Sequence, residues 1–474
     1  MEQDSLRTPM PALTAAAPGD WRGELRALTR LSLPLVGANL LQMAIGAVDV
    51  IFVARLSTLD FAAGTLGVFA FNLTLYSLVG LASASAPLIA AELGRRSHAV
   101  REVRRSVRMA LWLALGGAVP LFVLLGFGRS IFLLAGQEPD VAAHAGAFLS
   151  VVRWALFPGV AAVVMRIACA ALGRPNWAFA VTLIGLGIGI LGNWVLIFGH
   201  WGFPALGLIG SALATIIGMV AMAGSYAAIL ILDPRLRRYR LFGHFWRPEW
   251  SRFIEIARLG APIALSWTFE GALFGGAAVL MGLIGVAEVA AHAVALNIAA
   301  IAFQIPLGIA QAATIRVGLA YGAADRGWIA RAGWVAIAFG TGIMALTALA
   351  MWAMPRLFIA AYLDVSDPAN AHVIMLAQHF MMVAAAFQLF DGCQVVTAGT
   401  LRGVQDTRVP MVISGFGYWV AGFGTAILLG FHLGWGGVGI WMGLAMGLAV
   451  VAALLLIRWR WRERLGLLPG HTAA

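Results

Sequence analysis

Lysine is missing from this sequence altogether; all 32 basic residues are arginine. Charge of either sign is scarce, at 11% of residues against about 25% in an ordinary soluble domain. With no long polar segment to build one, a soluble domain is excluded. Only two cysteines occur, Cys169 and Cys393, far apart and both inside apolar runs. That excludes a disulfide framework and a cysteine metal site. There is no glycine-rich nucleotide loop carrying a lysine, no zinc-type His/Glu pattern and no evident Ser/Lys or Ser/His dyad. An enzyme is therefore not expected, nor is direct use of ATP. Residues 1–30 are polar and rich in Pro and Ala, without the short apolar core of a cleaved signal peptide.

What the chain has in excess is apolar length. It is 61% hydrophobic and contains 56 glycines, as befits helices packed closely in lipid. A helix crosses the hydrocarbon with about 20 apolar residues. Twelve runs qualify: 31–54, 62–90, 109–127, 143–171, 178–199, 205–231, 259–284, 290–319, 333–353, 373–399, 410–431 and 436–457. In lipid, backbone groups must be satisfied within the segment, so such runs are helices and not strands. The expected class is all-α integral membrane with twelve transmembrane helices. When the loops are grouped alternately, one side holds every arginine except Arg55, Arg129, Arg153 and Arg356. The positive-inside rule then puts both termini in the cytoplasm. The net charge of +11 reads as topology and contact with membrane lipids, not as nucleic-acid binding.

The chain also repeats itself at an offset near 228 residues. Arg30-Leu31-Ser32-Leu33-Pro34 resembles Arg258-Leu259-Gly260-Ala261-Pro262, Gly94 falls opposite Gly322, and Gly207-x-x-Gly210 matches Gly436-x-x-Gly439. The expected organisation is a cytoplasmic tail over 1–30, a six-helix lobe over 31–232 and an inter-lobe loop over 233–252. A second six-helix lobe over 253–458 and a tail over 459–474 follow. Six spans per half make the halves parallel repeats, with a pseudo-two-fold axis along the membrane normal. Two such lobes would enclose a cleft and expose it alternately by rocking.

Three carboxylates lie deep inside apolar runs: Asp49, Glu270 and Asp391. Each costs at least about 2.5 kcal/mol there, so each needs a partner or a function. Gln42 and Asp49 are seven apart, about 700° of helix, and share a face. Asp49 reads as a protonatable carboxylate, or else as a structural bond to Asn72 or Asn193. Gln388, Asp391 and Gln394 share one face of the tenth span. Asn297, Gln304 and Gln311, at seven-residue steps, share one of the eighth. Carboxylates plus amides form an oxygen-rich nest for a small hard cation; the bland alternative for the amides is interhelical bonding. Phe387, Phe157, Phe390, Trp194 and Trp267 either line a cavity or pack the core. His292 and His379 read as core residues before proton relays. No basic residue is expected at the depth of Glu270 and Asp391. Their charge must then be met by a proton, a metal cation such as Na+, or a cationic substrate.

Three passages carry a family resemblance: AAHAVALNIAAIAFQIPLGIAQAATIRVG (Ala290 to Gly318), FQLFDGCQVVTAGTLRGVQD (Phe387 to Asp406) and GAVDVIFVA ending at Ala54. With them, across all twelve spans, the chain resembles a multidrug and toxic compound extrusion transporter of the NorM-type bacterial branch. The resemblance implies a V-shaped, two-lobe exporter of small organic cations and drugs, driven by inward Na+ or H+, with no cofactor beyond that ion. It implies a bacterial inner (plasma) membrane location, and the chain is read as a monomer. Glu270 and Asp391 match the family's second-lobe cation site, Asp49 its first-lobe proton-coupling aspartate, and Asn193 an asparagine near it. Relatives often have Tyr where this chain has Phe387, Asn at Gly189 and Thr at Val50. These departures leave the carboxylates intact, and Na+ is the first expectation for the coupling ion, H+ the second. The rival reading is a lipid-linked saccharide flippase of the same superfamily, disfavoured because the cavity candidates are acidic.

Overall fold

The computed structural model describes residues 20–95, 99–243 and 245–469. Twelve helices among the described residues are long and apolar enough to cross a membrane. They are α1 (Trp21–Val53), α2 (Thr58–Arg95), α3 (Ala99–Gly126), α4 (Pro139–Ala171), α5 (Asn176–Phe198) and α6 (Gly207–Leu232). The others are α7 (Trp250–Ile284), α8 (Val286–Gly322), α9 (Arg326–Ala353), α10 (Pro368–Gly403), α11 (Arg408–His432) and α12 (Gly436–Arg460). Every apolar run expected to span the bilayer falls on one of them.

Several helices outrun their apolar stretch at the arginine-rich end. α1 starts at Trp21, so residues 21–30 are helix and not tail; residues 1–19 lie outside the described residues. Asp20 supports that start, its carboxylate accepting the Gly23 backbone N–H at 2.8 Å. α7 likewise starts at Trp250, inside the expected loop, and α3 at Ala99. Hydropathy misses these turns because they are amphipathic. Their charges are buried in pairs: Glu24 with Arg316 at 2.6 Å, and Arg252 with Glu92 at 3.0 Å.

Helix ends follow local chemistry. Ser57 caps α2 by accepting the Asp60 N–H, and Asp325 caps α9 by accepting the Trp328 N–H, each supplying an orphan donor with a partner. The repeated Gly-x-x-Gly opens α6 and α12 alike. Gly207 and Gly436 hold φ of +54° and +57°, where L side chains are strained. Gly210 and Gly439 then let α6 and α12 touch backbone, at Leu196 and Leu429 respectively.

Packing divides the chain into two compact units. The first is Gly37–Ala264; the second is the chain up to Val36 together with everything from Leu265 onward. The dividing points thus fall inside α1 and α7, next to Pro34 and Pro262, and not at the loop over 233–252. That loop belongs to the first unit. Its Asp233 pairs with Arg174 at 2.6 Å, its Tyr239 carbonyl accepts Arg104 Nε at 2.9 Å, and its Phe245 carbonyl accepts Trp112 Nε1 at 3.1 Å. In the first unit α4 packs on α2, α3 and α6, and α5 packs on α6. In the second, α10 is central, packed on α8, α9 and α12. The middle of α10 is buried on several sides, and that is where Gln388, Asp391 and Gln394 sit.

α11 is irregular: its turns widen to π-helix over Phe416–Phe423 and Leu428–His432. Such turns are rare and gather at functional sites. The first carries Tyr418 into the core.

Candidate functional site

In the second unit, α7 brings Glu270, α10 brings Asp391 and Gln394, and α11 brings Tyr418 to one point. Asp391, Gln394 and Tyr418 are 3%, 3% and 1% exposed, and Glu270 is half-buried. The Gln394 amide is the hub. Its Nε2 donates to Glu270 Oε1 and to Asp391 Oδ1, both at 3.3 Å, and its Oε1 accepts the Tyr418 hydroxyl at 2.7 Å. One side-chain amide therefore spends both hydrogens on two carboxylates. At about 5 Å and an effective dielectric near 20, two such charges repel by about 3 kcal/mol, which a cation or a proton removes. Among the described residues no cluster of three His, Cys, Asp or Glu could hold a metal ion. A metal cation at Glu270 and Asp391 would draw its other oxygens from Gln394 and Tyr418.

One expectation is corrected. A basic residue does reach toward Glu270: Arg402. α10 runs on to Gly403, and eleven residues of helix is about 1100°, so Arg402 returns to the Asp391 face three turns on. Its guanidinium carbon lies 5.7 Å from the Trp267 ring centroid, one turn before Glu270 on α7. That puts it within electrostatic range of Glu270, but among the described residues neither Glu270 nor Asp391 has an ion-pair partner. Arg402 reads as loop in the sequence because it follows the apolar run. The eleven-residue spacing was the signal that could have found it. Tyr418 had no sequence signal, since its placement depends on the π turn.

The first unit holds a separate, simpler arrangement. Asn193 Nδ2 donates to Asp49 Oδ1 at 2.6 Å and to the Gly189 carbonyl at 2.9 Å. Asn193 is fully buried and its Oδ1 has no partner. Gln42, Ile45, Asp49, Gly185, Gly189, Thr215, Met219 and Met222 line a small pocket there. The Gly189 departure matters physically: no side chain fills the space beside it.

Other expected site residues are not brought to the carboxylates. Asn297 is exposed and Gln304 half-buried, and each donates to its own helix four residues back, at 2.8 Å to Ala293 and 3.2 Å to Ala300. Phe387 is 1% exposed, packed edge-on to Phe274 at 5.9 Å and Trp441 at 5.8 Å. It is a core residue, not a cavity wall. Gln388 is fully buried and bonds the Ala299 carbonyl at 3.3 Å, fixing α10 to α8.

The MatE family model matches this chain twice, over residues 34–195 and 262–428, the two starts 228 residues apart. The chain belongs to the MatE family. The MatE match is paired because the chain carries the family unit in both halves, at the offset read from the Pro34 and Pro262 passages. Curated relatives agree. The chain is 48% identical to a probable multidrug resistance protein NorM of Mesorhizobium japonicum, covering 94% of this chain and 95% of that protein. It is 46% identical to one of Brucella suis, over 93% of each. Among solved structures, a eukaryotic MATE transporter matches with a TM-score of 0.84 at 20% identity, covering 94% of this chain and 98% of that one. An outward-facing multidrug resistance MATE family transporter matches at 0.82 and 22%, covering 96% and 100%. At these identities the structures speak for the MatE fold alone.

Proposed function

We propose that this MatE protein is a secondary exporter that moves organic cations outward in exchange for inward Na+ or H+, by alternating access. The observation that carries the reading is the Gln394 hub: two intramembrane carboxylates on one amide, with no ion-pair partner among the described residues. Arg402 approaches Glu270 without pairing with it, so the pair keeps negative charge for an ion or an organic cation to meet. Ion and organic cation then compete for the same negative charge, which is the minimum an exchanger needs. The NorM names of the relatives support organic-compound export. The proposed location is a bacterial inner membrane, with both termini cytoplasmic. Inward movement of one charge gains about 2.3 kcal/mol per 100 mV.

Ethidium export from proteoliposomes, with Na+ and pH gradients imposed separately, tests the scheme. Asp391→Asn is expected to abolish gradient-driven export while membrane insertion and folding persist. Undiminished export by that variant would refute the proposed exchange.

A further inference from the structure

The second unit contains a cluster of buried polar atoms that the carboxylate hub does not use. His292 on α8 is 2% exposed, and neither ring nitrogen has a hydrogen-bond partner. Trp441 on α12 is fully buried with its Nε1 unpaired, and Gln388 on α10 is fully buried with its Oε1 unpaired. The His292 and Trp441 rings lie 5.5 Å apart, and Trp441 in turn sits 5.8 Å from Phe387, the neighbour of Gln388. A histidine retained only for packing normally bonds at least one nitrogen, because neutral imidazole carries both a donor and an acceptor. Buried polar groups of this kind are met by ordered water.

The placement along the helices gives the cluster a direction. Gln388 bonds the Ala299 carbonyl, which fixes the relative depth of α10 and α8. His292 is seven residues before Ala299, two turns or about 10 Å nearer the start of α8. Asp391 is one turn beyond Gln388. Glu288, half-exposed, is four residues before His292 and on the same face. By position along α8 and α10, Glu288, His292, Gln388 and Asp391 thus descend in order from the start of α8 to the Gln394 hub, with the Trp441 ring beside His292. Other titratable groups stand on the elements packed against α8: His372 on α10 is exposed, Cys393 on α10 is half-buried, and Arg356 on the short helix Pro355–Ile359 is exposed. His379 on α10 is exposed, and α9 and α12 carry only arginines, at their opposite ends.

We propose that His292 is a proton-transfer residue supplying the Glu270–Asp391 pair along a short file of water. The inference rests on the exchange reading above. A hydronium ion admitted past Glu288 gives its proton to one ring nitrogen. The other ring nitrogen releases its own proton to a water held between the Trp441 N–H donor and the Gln388 oxygen, and that proton ends on the Asp391 carboxylate. One proton enters and one is delivered, leaving the imidazole neutral in its other tautomer. Rotation of the ring resets it. Na+ bound at the carboxylates does not use this path.

The test uses the full chain in proteoliposomes and compares His292→Gln, which keeps size and hydrogen bonding but cannot be protonated, with wild type. Proton-gradient-driven ethidium export should fall by about tenfold or more and lose its pH dependence, whereas ethidium binding and Na+-driven export stay within roughly twofold. Replacing Trp441 by 3-benzothienylalanine, which keeps the two-ring shape and removes the N–H, should slow the proton-driven mode and spare the Na+-driven one. Wild-type proton-driven rates in His292→Gln would overturn the proposal. Equal loss of binding and of both driven modes would overturn it too, assigning His292 a packing role. If wild type answers Na+ but not a proton gradient, the relay falls and the exchanger stands; if it answers neither, the exchanger reading itself falls.

Discussion

Gln394 is the residue on which the carboxylate site turns, because its amide holds Glu270, Asp391 and Tyr418 at once. Gln394→Leu keeps the volume and removes all three bonds. Export should drop by roughly tenfold or more, since each lost bond to a charged group is worth about 1.5–3 kcal/mol; ethidium efflux in whole cells measures it. Asn193→Ala is the counterpart in the first unit and should weaken function there only through Asp49, its bonded carboxylate. The carboxylates were legible in the sequence because a charge in an apolar run is conspicuous. Gln394 was legible from its three-residue step to Asp391, and Asn193 as one of two asparagines within reach of Asp49. Asn297 and Gln304 share a helical face as their spacing says, yet each satisfies itself on its own backbone. Spacing reports which way a side chain points and not whether a partner stands opposite.

At the scale of elements, the apolar runs found every span but cut them short. The missing turns are held by ion pairs that hydropathy penalises. Glu24 and Arg252 occupy equivalent positions 228 residues apart, and each is buried against an opposite charge in its own unit, with the signs exchanged. Glu24 accepts two bonds from Arg316 and one from the Trp328 indole. Glu24→Gln should destabilise the protein by about 3–5 kcal/mol, since it strands a buried arginine. A thermal melt in detergent reads this out, and Glu24→Arg with Arg316→Glu should recover much of the loss. The loop after α6 obeys the same logic in water. Burial raises the Asp233 carboxyl, but the Arg235 N–H, the Trp177 indole and Arg174 outweigh it and hold it below the usual carboxylate range. Its contribution to stability is therefore complete above the unfolded carboxylate value of about 3.9 and fades as pH falls through the lower folded value. Asp233→Asn should flatten the stability profile in that acidic window and leave the slope near neutrality unchanged.

At the scale of the whole molecule, the repeat was visible because both halves keep the same proline and glycine positions. The packing division was not, because Pro34 and Pro262 sit beside Val36 and Ala264 inside continuous helices, where a proline marks a bend and not a boundary between units. Membrane orientation rests on a different kind of information. Arginine is spread so unevenly between the two sets of loops that the asymmetry predicts one topology, and the described residues include twelve helices long and apolar enough for it. Three exposed positions make that topology measurable: Leu134 between α3 and α4, Val286 at the start of α8, and Trp246 in the loop before α7, at 89%, 89% and 82% exposure. In a background with Cys169 and Cys393 replaced by alanine, each is changed singly to cysteine and treated with a membrane-impermeant thiol reagent. Leu134→Cys and Val286→Cys should label in intact cells with the outer membrane permeabilised. Trp246→Cys should label only after the inner membrane is opened, because the loop it occupies carries Arg235, Arg237, Arg238, Arg240 and Arg247. The reverse pattern would invert the molecule and place the start of α8, with Glu288 and His292, on the cytoplasmic side, where an inward proton gradient could not supply it.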